Sequence, residues 1–317
     1  MTAIIILNWN GADDTIFCLD SLKTVIGDFI VIVVDNGSND DSVKRLKEYI
    51  PTSPLRIHLL EFDSNYGFAK GNNLAIAFAS KFNPDSYLLL NNDTEVTPDF
   101  LKRIVDFSVN NSRYRALTPQ IRYSDKYKIW NCGGKLLFGM HYYYFAEKNC
   151  DIIPKTKRYI NISYITGCCL FFYPDLLSED GKIFTERFFF GEEDFDFSLR
   201  MKRDKIKMAC VLDSVIYHKQ NSSSSNMNNL GKTYMQYLNR FIDIKLNIGR
   251  TGFLLWKIIN LPFVLINFYK LTSSVYKVLY LYRKLKLDII KKDAVSYSDF
   301  RSLVITENYF VDNETKD

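Results

Sequence analysis

Short apolar runs alternate with amphipathic stretches along the first third of the chain. Runs rich in Ile, Val and Leu, typical of buried strands, fall at residues 3–7, 29–34, 56–60 and 86–90. Helical spacing of apolar positions follows each run, at residues 14–25, beyond Asp40 and Asp41, at 65–80 and at 98–110. This order predicts an α/β fold with a doubly wound parallel sheet, whose ligands bind at the carboxyl ends of the strands.

Polar clusters follow three of these predicted strands. The sequence reads NWN from residue 8, DNGS from residue 35 and NND from residue 91. Any one cluster also fits an exposed turn. Three of them at successive strand ends favour a ligand site at that edge of the sheet.

The rest of the chain divides into a mixed region and a helical tail. Strands are expected at residues 121–123, 160–165, 168–173 and 207–212, with a helix at 195–203. A Ser/Asn run at 221–229 suggests a linker, and residues 233–245 and 252–292 have helical patterns. We therefore predict an α/β domain over residues 1–220 and a C-terminal helical region over 221–317.

Composition and charge narrow the class of partner. The 317 residues are 47% hydrophobic, enough for a large core, and the net charge of +5 is too small to indicate nucleic-acid binding. Positive charge is concentrated between Lys245 and Lys292, a stretch with ten basic residues and one acid, Asp288. The ten are Lys245, Arg250, Lys257, Lys270, Lys277, Arg283, Lys284, Lys286, Lys291 and Lys292. Interleaved with tyrosines, they predict helices lying on an anionic membrane surface, with packing on the enzyme or on a second subunit of a homo-oligomer as the alternative.

The cysteines and the N-terminus suggest a compartment. Six cysteines occur without any C-x-x-C pair or zinc spacing, so reduced thiols are expected. The first predicted strand begins at residue 3 with no signal peptide before it. We expect a cytoplasmic protein that is peripheral on the inner face of the cell membrane.

Two acidic motifs carry candidate chemistry. The apolar run ending in NND offers Asp93 as a ligand for Mg²⁺ or Mn²⁺, with Glu95 a weaker candidate. The segment GEEDFD from residue 191 crowds four carboxylates beside aromatic residues, which suits a general base, and we assign that role to Asp194. Asp196 is better explained as an ordinary i, i+4 helix pair with Arg200.

A glycine-containing segment, NYGFAKGNN from residue 65, can bring backbone close to a phosphate or sugar. It matches neither a P-loop nor a dinucleotide fingerprint, which disfavours a dehydrogenase.

Six motifs in order resemble the family 2 glycosyltransferases, in particular their bacterial rhamnosyltransferase-like branch. They are ILNWNG, VIVVDNGSNDDS, NYGFAKGNNLAI, YLLLNNDTEVTPDFL, TGCCLFFYPDLL and FFFGEEDFDFSLRMKR, and the resemblance covers about residues 3–245. It implies a GT-A fold, with a nucleotide-sugar-binding half over 1–112 and an acceptor-binding half over 113–220. It also implies inversion by direct displacement with a divalent metal.

The resemblance assigns roles residue by residue. Asp35 matches the nucleobase-binding aspartate, Asp93 the metal-binding carboxylate, and Glu193 and Asp194 the catalytic pair with Asp194 as base. His218 resembles a histidine on the metal or diphosphate. The other donor-binding positions are Asn8, Asn10, Asn65, Gly67, Ala69, Asn72 and Asn92. The Gly-Gly-Phe-Asp-Glu run usual in this branch is only partly kept at 178–188, so the acceptor side is less well defined.

The expected reaction moves a sugar, with rhamnose one candidate, from a nucleoside-diphosphate donor to a glycan or lipid-linked glycan acceptor in cell-surface polysaccharide synthesis. Two alternatives remain open. A nucleotidyltransferase shares the α/β half but normally has a basic, Gly-rich N-terminal loop, which NWNG is not. A catalytically silent glycan-binding or scaffold protein would keep the fold, although retention of Asp93 and Asp194 counts against it.

Overall fold

The computed structural model describes residues 1–219 and 228–305, and these form two compact units. The first comprises residues 1–185 and 194–219, and the second comprises 186–193 and 228–305. Of the linker predicted at 221–229, residues 221–227 lie outside the described residues.

The first unit contains a ten-stranded mixed sheet and a separate hairpin. The sheet strands are β1 (Thr2–Asn8), β2 (Phe29–Asp35), β3 (Ile57–Glu61), β4 (Ser86–Asn91), β5 (Thr94–Val96), β6 (Tyr114–Tyr123), β7 (Ile129–Asn131), β10 (Tyr159–Ile162), β11 (Cys169–Phe172) and β12 (Lys207–His218). The hairpin pairs β8 (Gly134–Leu137) with β9 (Met140–Tyr143). The main strand order is β10-β12-β6-β11-β4-β1-β2-β3, with β5 on β12 and β7 on β6.

Helices cover both faces of this sheet. They are α1 (Ala12–Leu22), α2 (Ser42–Tyr49), α3 (Gly67–Ala79), α4 (Phe100–Asn110) and α5 (Glu193–Arg203). Alternate side chains of one strand enter opposite cores, because successive strand residues point to opposite faces. In β1, Ile5 joins the cluster that contains Ile76 of α3, whereas Ile4 joins the cluster that contains Leu19 of α1 and Ile104 of α4.

The four predicted N-terminal strands are present within two residues of their expected ends, but the sheet is mixed, not parallel throughout. The chain reaches β11 at the carboxyl edge of β4, where the Asn91 amide donates to the Cys168 carbonyl at 2.9 Å. From there it can only run back, so β11 is antiparallel to both β4 and β6. Beyond β11, β6 and β12 resume the direction of β1.

The sequence patterns missed β5, β7, β8 and β9, which are three or four residues long, and most of β6. Pro119 lies inside β6 and argues against a strand there. It is accommodated because its partner Val211 lies at a register shift in the β6–β12 pairing.

The second unit is helical. It contains α6 (Asn229–Asn247), α7 (Gly249–Thr272), α8 (Val275–Lys291) and α9 (Tyr297–Phe300), followed by a π-helical turn at Arg301–Ile305. The helical pattern at 252–292 forms two helices, α7 and α8, which are separated because Ser273 adopts φ +51° and the Ser274 hydroxyl caps α8. Residues 186–193 belong to this unit, where the Phe189 amide donates to the Val295 carbonyl.

Candidate active site

The carboxyl ends of five parallel strands meet along one edge of the sheet. β1, β2, β4, β6 and β12 all run in the same direction. Asn8 therefore ends β1 beside Asp35 at the end of β2, and Asn91 ends β4 on the other side. His218, the last residue of β12, reaches the same edge from the far half of the sheet.

Asp93 and His218 come together through strand pairing. β5 runs antiparallel to β12 with His218 opposite Thr94, so the residue before Thr94 faces the histidine. The Asp93 Oδ1 atom lies 3.1 Å from His218 Nε2, and the two side chains are 13% and 11% exposed. The two atoms are not aligned as a hydrogen bond, and Asp93 Oδ1 and both ring nitrogens of His218 are buried without one.

This pair fits a divalent cation. A carboxylate oxygen and an imidazole nitrogen are both ligands that Mn²⁺ accepts, and buried polar atoms normally have a partner. Trp130 stacks on the His218 ring, 4.5 Å between centroids, and so fixes its plane. Within residues 1–219 and 228–305 no cluster of three or more metal-ligating side chains occurs. The protein would thus supply two ligands and leave the remaining positions to diphosphate and water.

Neighbouring charges distinguish the two acids of this motif. Glu95 is engaged by Lys126, whose Nζ lies 2.9 Å from its Oε1, so Asp93 is the carboxylate aimed at His218. Lys219, which the sequence patterns did not single out, donates its backbone amide to the Asp93 carbonyl and its Nζ to Asp14 Oδ1 at 2.8 Å. The hydrogen bond to Asp14 raises the pKa of Lys219, with a contribution from the Asp93 charge. Lys219 stays cationic beside a site suited to phosphate.

Asp35 is the centre of a buried hydrogen-bond network. Asn8 Nδ2 donates to Asp35 Oδ2 at 2.7 Å, while the Ser38 amide and hydroxyl donate to Oδ1 and Oδ2. Ser38 Oγ also accepts from the Asn10 amide. Asp35 is 1% exposed. Three predicted donor-binding residues are therefore joined by Ser38, which links the loops after β1 and β2.

Asn92 and the donor-loop residues Asn65 and Gly67 make separate hydrogen bonds. Asn92 is joined to Asn8 through Thr15, whose hydroxyl accepts from Asn92 Nδ2 at 3.1 Å and donates to Asn8 Oδ1 at 2.8 Å. Asn65 accepts from the Gly67 amide and from Asn36 Nδ2.

The other two predicted donor residues lie deeper in α3. Ala69 and Asn72 are each 2% exposed, and the Asn72 side-chain amide donates to the Phe68 carbonyl of its own helix. Asn8, Asn10, Asp35 and Asn92 thus form one connected group, and the donor-loop residues Asn65 and Gly67 form another.

Asp194 is held by the chain that precedes β11. The Tyr164 hydroxyl donates to Asp194 Oδ2 at 2.7 Å. The next residue, Ile165, donates its amide to Ser198 Oγ at 3.1 Å, which fixes α5 against the same segment. His141 stacks on the Tyr164 ring with centroids 4.1 Å apart and planes within 8°. No sequence pattern identified Tyr164 or His141, because their role depends on contacts between distant segments.

Burial and the charges of Asp93 and Asp194 raise the pKa of neighbouring tyrosine and cysteine side chains. Burial raises the pKa of the Tyr164 hydroxyl well above its ordinary value, and the Asp194 charge adds to this, so Tyr164 remains a donor. Burial and then Asp194 raise the pKa of Tyr143 as well. The pKa of the Cys168 thiol is raised by burial and then by the Asp93 charge. Cys168 follows Tyr164 by four residues, and its carbonyl accepts from the Asn91 amide, so one short segment connects the partner of Asp194 with the end of β4.

The acids that flank Asp194 have separate partners. Asp196 accepts from Arg200 Nε at 2.8 Å, which confirms the predicted helix pair. Glu193 belongs to the second unit together with Glu192. Glu192 has φ +74° and forms an ion pair with Arg240. Asn239 donates to the Phe190 carbonyl at 3.0 Å, so Asn239 and Arg240 hold the 186–193 segment within this unit.

An α/β sheet with carboxylates, amides and a histidine at its carboxyl edge is the arrangement expected of a GT-A fold. The Glycosyl transferase family 2 model matches residues 3–180, and the chain belongs to this family of glycosyltransferases.

The relatives with curated names or solved structures are distant. The chain is 24% identical over 251 residues to the low-salt glycan biosynthesis hexosyltransferase Agl10 of Haloferax volcanii, covering 76% of this chain and 74% of Agl10. The structure is similar to S. aureus TarS, with a TM-score of 0.59, 16% identity, and coverage of 92% and 80% of the two chains. It is also similar to the mannosyltransferase PcManGT of Pyrobaculum calidifontis in complex with GDP-Man and Mn²⁺, with a TM-score of 0.56, 14% identity, and coverage of 98% and 84%. These likenesses confirm the GT-A fold.

Proposed function

We propose that this glycosyltransferase moves a hexose-type sugar from a nucleoside-diphosphate donor to a hydroxyl of a glycan acceptor, with inversion and with a divalent metal. The observation that carries the proposal is the pairing of Asp93 with His218 at the carboxyl edge of the sheet. Support comes from family membership and from solved neighbours, among them TarS in complex with UDP-GlcNAc.

Asp194 is the proposed general base. One of its oxygens accepts a hydrogen bond from Tyr164, and the residue lies in the first turn of α5. The acceptor hydroxyl gives its proton to Asp194 as its oxygen attacks the anomeric carbon, and the sugar–phosphate bond breaks on the opposite side. Glu193, which precedes it in sequence, is the other member of the proposed catalytic pair.

Asp93 and His218 would hold the metal. A divalent cation bound there supplies electrostatic stabilisation to the departing diphosphate. Lys219, raised in pKa and adjacent to Asp93, would add a fixed positive charge. The network of Asn8, Asp35 and Ser38 would shape the loops that receive the nucleoside. Asp35, Asn10 and Asn92 are proposed to bind the donor there.

The identities of donor and acceptor belong to the proposal. Rhamnose is suggested by the sequence motifs alone, while TarS and PcManGT are described with UDP-GlcNAc and GDP-Man. Agl10, a hexosyltransferase of glycan biosynthesis, supports a hexose-type sugar and a glycan acceptor. All six cysteines are free, which is consistent with the proposed cytoplasmic location.

The test is donor hydrolysis by the purified protein across UDP-glucose, UDP-galactose, UDP-GlcNAc, GDP-mannose and nucleoside-diphosphate rhamnose, with Mn²⁺ or Mg²⁺ and with chelator. We expect one donor to release a nucleoside diphosphate slowly, and chelator to stop the release. Pyrophosphate release from a nucleoside triphosphate would instead identify a nucleotidyltransferase. Binding of a nucleotide sugar without turnover, even with glycan acceptors present, would favour a silent scaffold.

Asp194→Asn tests the assigned base. The amide cannot take a proton, so transfer should fall by at least about a hundredfold, while donor affinity measured by calorimetry stays within about twofold. Asp204→Asn, near the C-terminal end of α5 and paired with Arg203, is the matched control and should keep full activity. Loss of donor affinity in a folded Asp194→Asn protein would contradict the role assigned to this residue.

A further inference from the structure

The outer face of α7 is apolar and exposed. Seven of its side chains are at least half exposed, namely Leu254, Leu255, Ile258, Ile259, Phe263, Ile266 and Tyr269. Between Arg250 and Lys270 the only charged residue is Lys257. A continuous apolar surface of this kind is unfavourable in water and marks an interaction site. We call it the α7 apolar face.

The opposite side of α7 packs against α6 along most of its length. Trp256 meets Phe241 with ring centroids 4.8 Å apart, and three turns later Phe268 meets Tyr237 at 5.6 Å. Between them Asn260 is buried and donates to the Trp256 carbonyl.

This packing limits how α7 can meet lipid. By length and composition α7 could cross a membrane, and only 22% of its apolar window is buried. A crossing helix would carry into the hydrocarbon the charged residues of α6 packed beside it, such as Lys232 and Asp243, which is costly. Only one face of α7 is therefore free to enter an apolar medium.

The neighbouring helix α8, which packs against α7, carries exposed positive charge. Tyr276, Leu279 and Ile290 are exposed there together with Arg283 and Lys286. The single acid of α8, Asp288, accepts from Tyr234 and lies 3.4 Å from Lys284, so it does not neutralise the exposed cations. Apolar and basic side chains mixed on one surface are typical of helices that lie at a lipid headgroup layer.

The charge also discriminates between occupants. A second copy of the chain would bring a basic surface against an equally basic one, because Lys270, Arg283 and Lys286 would be present on both. Anionic lipid headgroups instead attract these residues.

We propose that the second unit docks on an anionic membrane surface with α7 lying in the membrane plane. Leu255, Ile258 and Ile266 enter the boundary between headgroups and acyl chains, and Arg283 and Lys286 contact lipid phosphates.

The first experiment is flotation of the full chain with phosphatidylcholine vesicles, with and without phosphatidylglycerol. We expect flotation with the anionic vesicles, reduced by added salt. Replacing both Ile258→Glu and Ile266→Glu should abolish it, whereas Val109→Glu, an equally exposed substitution on α4, should not. Arg283→Ala with Lys286→Ala should weaken binding to the anionic vesicles by about tenfold or more and leave the weak binding to neutral ones unchanged.

The rival occupants give different results. If the wild-type chain fails to float and forms a dimer in sedimentation equilibrium, and the Ile258→Glu, Ile266→Glu variant is a monomer, the proposal is overturned in favour of a second copy.

The orientation of α7 is tested with spin labels at Leu255→Cys, Ile258→Cys and Ile266→Cys in a Cys150→Ser background, since the other five cysteines are buried. Equal, shallow depths by oxygen and nickel accessibility support in-plane docking, and a depth gradient along the helix would establish a spanning one.

Discussion

The Tyr164 hydroxyl donates a hydrogen bond of 2.7 Å to Asp194 Oδ2 and joins the segment before β11 to the first turn of α5. Tyr164 is fully buried, with His141 stacked on its ring. The orientation of the proposed base therefore depends on a residue thirty positions earlier in the chain, held in turn by the β8–β9 hairpin.

Tyr164→Phe tests this arrangement. It removes the donor but keeps the ring, so kcat should fall by about tenfold, the usual value of a hydrogen bond to a charged group, while the donor KM stays unchanged. Losing a hydrogen bond to the ionised form favours protonation of the carboxylate, so the acid limb of the pH–rate profile should move to higher pH. A purely structural role would lower stability without moving that limb. Tyr142→Phe, on an exposed position of β9, is the control.

Asp93→Asn and His218→Asn address the proposed metal site. Each substitution removes one of the two proposed protein ligands. The affinity for Mn²⁺ in the presence of nucleoside diphosphate should drop by at least about tenfold, because even replacing a residue that only hydrogen-bonds to a metal ligand typically costs that much. Electron paramagnetic resonance of free Mn²⁺ gives this affinity independently of activity. Glu95→Gln, two residues away and paired with Lys126, should bind the metal normally. Unchanged affinity in both site variants would rule out this pair as the ligands.

Ser38→Ala tests the loop network around Asp35. The hydroxyl donates to Asp35 and accepts from the Asn10 amide, so its loss removes one of the links between the loop after β1 and the loop after β2. One net hydrogen bond is worth about 1 kcal/mol, and we expect the donor KM to rise roughly fivefold with little change in kcat. Ser64→Ala, which removes a hydroxyl that donates to the exposed Asp63, serves as the comparison. An equal fall in kcat would mean that the network acts on the chemical step.

Gly231 and Gly252 provide an opposed pair in the helical unit. A Cβ on Gly231 would overlap the Leu303 carbonyl oxygen, so Gly231→Ala must displace backbone and should destabilise the protein by about 1–3 kcal/mol. A Cβ on Gly252 would meet only the Ile248 side chain, at 3.5 Å. Within α7, Gly252→Ala should stabilise by about 0.5–1 kcal/mol. Thermal unfolding should therefore show shifts of opposite sign.

The sequence by itself determined the parts of this protein that depend on local pattern. Apolar runs near 3–7, 29–34 and 86–90 can only be satisfied by burial on both faces, which fixes them as central strands. Each run is followed by Asn or Asp residues, and this pattern alone predicts that Asn8, Asp35 and Asp93 lie near the carboxyl edge of the sheet. The i, i+4 pairing of Asp196 with Arg200 is equally local.

Tertiary structure decided which of these residues act together. Asp93 meets His218 because β5 pairs antiparallel with the end of β12, a register between segments more than a hundred residues apart that no pattern encodes. The same holds for Tyr164 on Asp194, for Lys219 beside Asp93, and for the reversal of β11 that makes the sheet mixed. A period of two or 3.6 residues says which face a side chain occupies, but only packing of whole elements says what it faces.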